Sequence, residues 1–104
     1  MLRIRELDIY HTRGDTDSIA ISPKNADGSD IKEFSAVFSV KRSYSDKSPL
    51  FQLELKNGAI NFTHEVTRKL PPGDYVWDIE LRLSNGTYQT IGPGVYHLKP
   101  DVTV

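Results

Sequence analysis

The chain has 104 residues, 38% of them hydrophobic, with 13 Lys and Arg against 14 Asp and Glu and a formal net charge of −1. That length fits one domain spanning residues 1–104, and the balanced charge gives no electrostatic ground for a nucleic-acid or membrane-surface partner. With no cysteine, disulfides, thiolate metal sites and thiol nucleophiles are excluded.

The chain opens on Met1-Leu2-Arg3-Ile4-Arg5-Glu6, which is basic but has no apolar stretch behind it. It does not read as a secretory signal, and no apolar run approaches the ~18–20 residues of a membrane span. Synthesis in a cytoplasm is the expectation. Residues 7–11 and 17–22 read as short strands separated by the bend Arg13-Gly14-Asp15. Asn25-Ala26-Asp27-Gly28 reads as a turn. In residues 34–41, Phe34, Ala36, Phe38 and Val40 alternate with Ser35, Val37, Ser39 and Lys41, the period of two that gives a strand one apolar face. Residues 42–49 form a long polar loop.

Residues 51–55 and 59–64 flank Asn57-Gly58, a dipeptide that tolerates the positive φ of a tight turn, so a β-hairpin is expected there. One helical turn fits residues 67–70, before Pro71-Pro72-Gly73-Asp74. Residues 75–83 alternate again, with Tyr75, Trp77, Ile79, Leu81 and Leu83 on one face. Asn85-Gly86 predicts a second hairpin into residues 87–91. Gly92-Pro93-Gly94 reads as a turn before a last strand at 95–99.

About eight short strands at spacings of ~8–12 residues indicate an all-β sandwich or small barrel. Pro71-Pro72-Gly73-Asp74-Tyr75 resembles a tyrosine corner, in which a Tyr at the start of a strand bonds back to upstream backbone. The expected fold is therefore an antiparallel immunoglobulin-like β-sandwich of about 7–9 strands. Antibody domains place a disulfide cysteine two residues after that Tyr; here the position is Trp77, whose ring can fill the same inter-sheet volume.

Candidate chemistry is sparse. His11, His64 and His97 stand far apart, in no nucleophile or metal-ligand motif, and read as surface or half-buried strand histidines. Asp78 and Glu80 share one face and read as solubilising charges opposite Lys or Arg. Placing Gly28 at the sixth position of a calcium loop puts Pro23 and Phe34 where carboxylates are required, so that segment reads as a turn. Arg13-Gly14-Asp15 spells an adhesion tripeptide, but its place between two strands makes Gly14 a bend residue. Asn61-Phe62-Thr63 and Asn85-Gly86-Thr87 fit the glycosylation pattern. Tyr44, Tyr88 and Tyr96 are candidates for an aromatic sugar-binding platform. The expected protein contacts are Arg13, Asp15, Arg42, Tyr44, Asp46 and Lys47, with Tyr a residue type enriched at interfaces. No enzymatic activity, metal or cofactor is expected.

The ordered set Thr12-Arg13-Gly14-Asp15-Thr16, Asp27-Gly28, Ala36-Val37-Phe38-Ser39-Val40-Lys41, Asp46-Lys47-Ser48-Pro49-Leu50, Leu70-Pro71-Pro72-Gly73-Asp74-Tyr75-Val76-Trp77-Asp78-Ile79, Gly94-Val95-Tyr96-His97-Leu98 and Asp101-Val102-Thr103 resembles the small β-sandwich domains at the N-termini of tailed-phage baseplate upper proteins and related prophage structural proteins. The resemblance implies a non-catalytic virion component of the tail or baseplate. It would dock on other phage structural proteins, or on further copies of itself. Those baseplate domains precede a coiled-coil stalk, whereas these 104 residues show no heptad pattern. The alternative reading, from a different class, is a small carbohydrate-binding or adhesion module.

Overall fold

A computed structural model describes residues 3–5, 7–24 and 27–101. Eight strands and one helical turn follow in chain order: β1 (Arg3–Arg5), β2 (Asp8–Thr12), β3 (Asp17–Ala20), β4 (Phe34–Lys41), β5 (Phe51–Glu54), β6 (Ala59–Phe62), α1 (His64–Thr67), β7 (Gly73–Leu83) and β8 (Tyr88–Lys99). They form a sandwich-like all-β fold. One sheet has six strands in the order β1-β2-β8-β7-β4-β5, and the other pairs β3 with β6. All pairings are antiparallel except β2 with β8, which run parallel from Asp8↔Val95 to Thr12↔Lys99.

The period-two residues make the core. Ala36, Phe38 and Val40 of β4, Tyr75, Trp77, Ile79 and Leu81 of β7, and Tyr96 and Leu98 of β8 point inward. They meet Ile19 of β3 and Ile60 and Phe62 of β6 from the opposing sheet. Phe38 is the hub. Its ring stacks on Trp77 at 5.7 Å and meets Phe62 edge-on at 5.3 Å, the offset and T-shaped geometries that aromatic quadrupoles favour. Trp77 is buried, and its Nε1 donates to the Leu7 carbonyl at 3.0 Å. Tyr75 Oη donates to the Pro71 carbonyl, which closes the expected corner at the start of β7.

Three local expectations are corrected. Asn57 and Gly58 do adopt positive φ, 53° and 77°, and Lys56 and Ala59 exchange hydrogen bonds across them. The flanking strands nevertheless do not form a hairpin: β5 pairs with β4, whereas β6 pairs with β3 in the other sheet. Leu55 N still donates to Ala36 O, so β5 stays with β4 up to the turn and the chain then changes sheet. Gly92-Pro93-Gly94 is not a turn between two strands. β8 runs through it, and a register irregularity between Trp77 and Ile79 absorbs the one extra residue. The peptide before Pro93 is cis. The helical turn lies at His64–Thr67 rather than 67–70, with the Thr67 side chain buried beneath the bend after β2.

The second hairpin forms as expected. Leu83 N donates to Thr87 O and Gly86 N to Leu83 O, with Gly86 at φ 87°. β1 had no counterpart in the sequence reading.

Candidate functional site

The six expected contact residues fall into two regions. Arg13 and Asp15 lie on the bend between β2 and β3, whereas Arg42, Tyr44, Asp46 and Lys47 lie on the loop between β4 and β5. Both regions sit at the end of the large sheet where β7 begins. In the order β2-β8-β7-β4 three strand spacings separate them, about 14 Å.

The bend is a built structure. Gly14 takes φ 83°, and its N donates to Thr67 Oγ1 at 2.8 Å. Its carbonyl lies 2.8 Å from His64 Nδ1. Arg13 Nε lies 3.3 Å from Asp101 Oδ1, and Arg13, Gly14 and Asp15 are all half-buried. Gly14 thus supplies the bend, and its backbone is tied to α1. The loop at 42–49 is more open. Arg42, Lys47 and Tyr44 are exposed, Tyr44 to 67%. Asp46 N donates to Ser43 O, and Leu50 N to Val40 O returns the chain to the sheet. Tyr44 lines a shallow groove on the outer face of the large sheet with Ser39, Lys41, Asp78 and Pro93. The groove continues past Lys47, Gln52 and Glu80 to Arg82.

The aromatic platform does not form. Tyr96 is completely buried, with 0% exposure, because its place on β8 faces Phe38 and Phe62. Tyr88 is exposed but sits opposite Arg82 near the β7–β8 hairpin, under the Arg82 guanidinium. The three rings therefore share no surface.

Each histidine has a different setting. His11 is wholly buried, which the sequence reading of surface or half-buried strand histidines did not foresee. Its Nδ1 lies 2.6 Å from Tyr96 Oη, and its Nε2 lies 3.5 Å from Asp17 Oδ2. Burial lowers the His11 pKa below its ordinary value, against the opposing pull of Asp17. Burial pushes the Tyr96 hydroxyl upward. The hydroxyl therefore stays protonated and serves as the donor to Nδ1, leaving the ring proton on Nε2, facing Asp17.

His97 stacks on Tyr10 at 4.5 Å, with Nδ1 2.8 Å from Asp74 Oδ1 and Nε2 3.3 Å from Asp8 Oδ1. The register Tyr10↔His97↔Asp74 across β2, β8 and β7 assembles this cluster. It joins residues far apart in sequence, so no local signal announces it. His64 caps the Gly14 carbonyl.

Asp27 accepts from Ser29 N and Ser29 Oγ at 2.9 and 2.6 Å, and these bonds hold its carboxyl below the usual range. Lys24 pairs with Asp30 across the same turn. Among the described residues no cluster of three His, Asp or Glu has metal-binding geometry, and no helix is long and apolar enough to cross a membrane. On the outer face Glu80 pairs with Arg82 of its own strand at 2.9 Å, while Asp78 stands opposite Ser39. Asn61 is exposed on β6, and Asn85 Oδ1 accepts from Thr87 N within the hairpin.

Comparison of the chain with protein-family models and with curated protein sequences gives no match.

Proposed function

We propose that this chain is a non-catalytic structural module of a tailed-phage or prophage virion, in the tail or baseplate, working by protein–protein assembly and using no cofactor. It would be made in the host cytoplasm and dock on other phage structural proteins. The observation that carries the reading is how the polar chemistry is spent. His11 is in the core, the Arg13-Gly14-Asp15 bend is tied to α1, and Glu80 is paired with Arg82. What the surface offers a partner is backbone at strand edges and the open loop at 42–49, a natural basis for assembly.

The finer fold belongs to the same proposal. Parallel β2–β8, the β3–β6 pair in the opposing sheet and the Tyr75 corner together support an immunoglobulin-like sandwich.

Mass spectrometry of purified particles tests the function. The chain is expected in stoichiometric amounts, and its gene is expected among tail or head genes. Particles that lack the chain, or a neighbourhood of metabolic genes, would overturn the reading.

A further inference from the structure

The first half of β8 leaves an open edge. β2 pairs with β8 only from Val95 onward, and among the described residues no strand lies beside Tyr88, Gln89, Thr90 and Ile91 on the side away from β7. All four are exposed, Tyr88 to 65% and Ile91 to 39%.

The hairpin fixes which backbone groups face outward. Leu83 N donates to Thr87 O, and antiparallel ladders alternate between bonded and non-bonded pairs. Arg82↔Tyr88 is therefore a non-bonded pair, Leu81↔Gln89 a bonded one and Glu80↔Thr90 non-bonded again. The N–H and C=O of Tyr88 and Thr90 point away from β7, into solvent.

Other edges are guarded by charge. β3 carries Asp17 and β5 carries Glu54. Beside β6, Glu54 and Lys56 line the adjoining groove. Such charges oppose strand addition. Tyr88-Gln89-Thr90-Ile91 has no charge and no proline, and its Tyr, Thr and Ile suit a strand.

We propose that this edge pairs with the same edge of a second copy, antiparallel about a two-fold axis through Gln89. Tyr88 of each copy then faces Thr90 of the other, and every outward N–H and C=O of these two residues gains a partner. Faces stay matched, because Tyr88 and Thr90 lie on the same side of β8. The charges on β7 match as well. Each row across the outer face runs Arg82, Tyr88, Thr90 of the second copy, then Glu80 of the second copy, with opposite charges at its two ends. The contact is a single short edge, well below the ~1,000 Å² of a stable interface. It is weak between free chains and gains strength where copies are held together. The inference does not depend on where the protein works, and its tests use the isolated chain.

Sedimentation equilibrium at up to about 1 mM chain is expected to show a monomer–dimer equilibrium. Thr90→Pro removes an outward N–H without touching the β7 ladder, and it is expected to weaken dimerisation at least ~10-fold with the circular dichroism spectrum unchanged. Thr90→Lys gives the same readout if the proline variant does not fold. In the paired state the two Gln89 Cα atoms lie about 4.5 Å apart, as in any non-bonded antiparallel pair, within reach of a disulfide. The chain has no other cysteine, so Gln89→Cys should cross-link to a dimer on oxidation faster than Ser45→Cys, on the distant loop. A monomer at every concentration, a dimer insensitive to Thr90→Pro and Thr90→Lys, or equal cross-linking of the two cysteine variants would overturn the proposal.

Discussion

His11 is buried, and the cost of desolvating its charged form outweighs the pull of the Asp17 carboxylate toward ionisation. Tyr96 Oη donates to Nδ1, the Asp17 carboxylate lies 3.5 Å from Nε2, and Asp15 also acts on the ring. Protonation would place a hydrogen on Nδ1 against the Tyr96 hydroxyl and end the bond that this hydroxyl donates there. Burial depresses the folded pKa below the unfolded value of 6.5. The unfolded state therefore binds more protons as the pH falls below that value. The contribution of neutral His11 is complete above about pH 6.5 and is lost as the pH falls from there through the folded pKa. Unfolding in urea at a series of pH values is expected to show this acid-side loss in wild type. Tyr96→Phe leaves Nδ1 buried without a partner and should cost about 1–3 kcal/mol at neutral pH. A Tyr96→Phe midpoint equal to wild type would contradict the assigned hydrogen bond. The Tyr75 corner tests in the same way but more mildly. Tyr75→Phe keeps the buried ring and removes only the bond to Pro71 O, so a loss of about 1 kcal/mol is expected in the same urea titration.

At the scale of elements, the long strand β8 depends on Gly94. A Cβ there would stand 2.0 Å from Leu7 O and 2.6 Å from Trp77 Nε1. The obstacle at Leu7 is backbone, fixed by its bonds from Val95 N and Trp77 Nε1. Gly94→Ala must push β2 away from β8 or break the Trp77 bond. A loss of about 3 kcal/mol is expected, with changed Trp77 fluorescence as the local reporter.

None of this was legible in the sequence, where Gly92-Pro93-Gly94 reads as a turn. Local chemistry there is overruled by β7, which offers a continuous partner on both sides of the irregularity. The two Asn-Gly pairs make the same point. Both turns form, because positive φ is a local property. Whether their arms pair is decided by other strands: Ala36 holds Leu55 to β4, whereas β7 and β8 have each other. The alternating residues of β4 and β7 were legible because half-burial imposes period two wherever a sheet covers a core. The histidine settings were not, since Tyr10↔His97↔Asp74 and His11–Tyr96 are products of register between distant strands.

The whole molecule is asymmetric in how its two sheets are held. β4, β7 and the second half of β8 each have a ladder on both sides, whereas among the described residues β3 and β6 pair with each other alone, over four residues. The small sheet is kept in place by side chains, Ile19, Ile60 and Phe62 against the aromatic hub, and by the bend tied to α1. Backbone bonds in a short two-stranded sheet open with little loss of ladder, so local opening should begin there. Amide hydrogen exchange is expected to give the slowest amides at Phe38, Ile79 and Tyr96. Amides of β3 and β6 should exchange at least ~10-fold faster, by an opening smaller than global unfolding. A low concentration of urea should leave the β3 and β6 rates almost unchanged while accelerating those of β4 and β7, since only global opening exposes the large core. Equal protection in both sheets, with equal urea dependence, would mean that Phe62 and its neighbours bind the small sheet strongly enough for the sandwich to open as one unit.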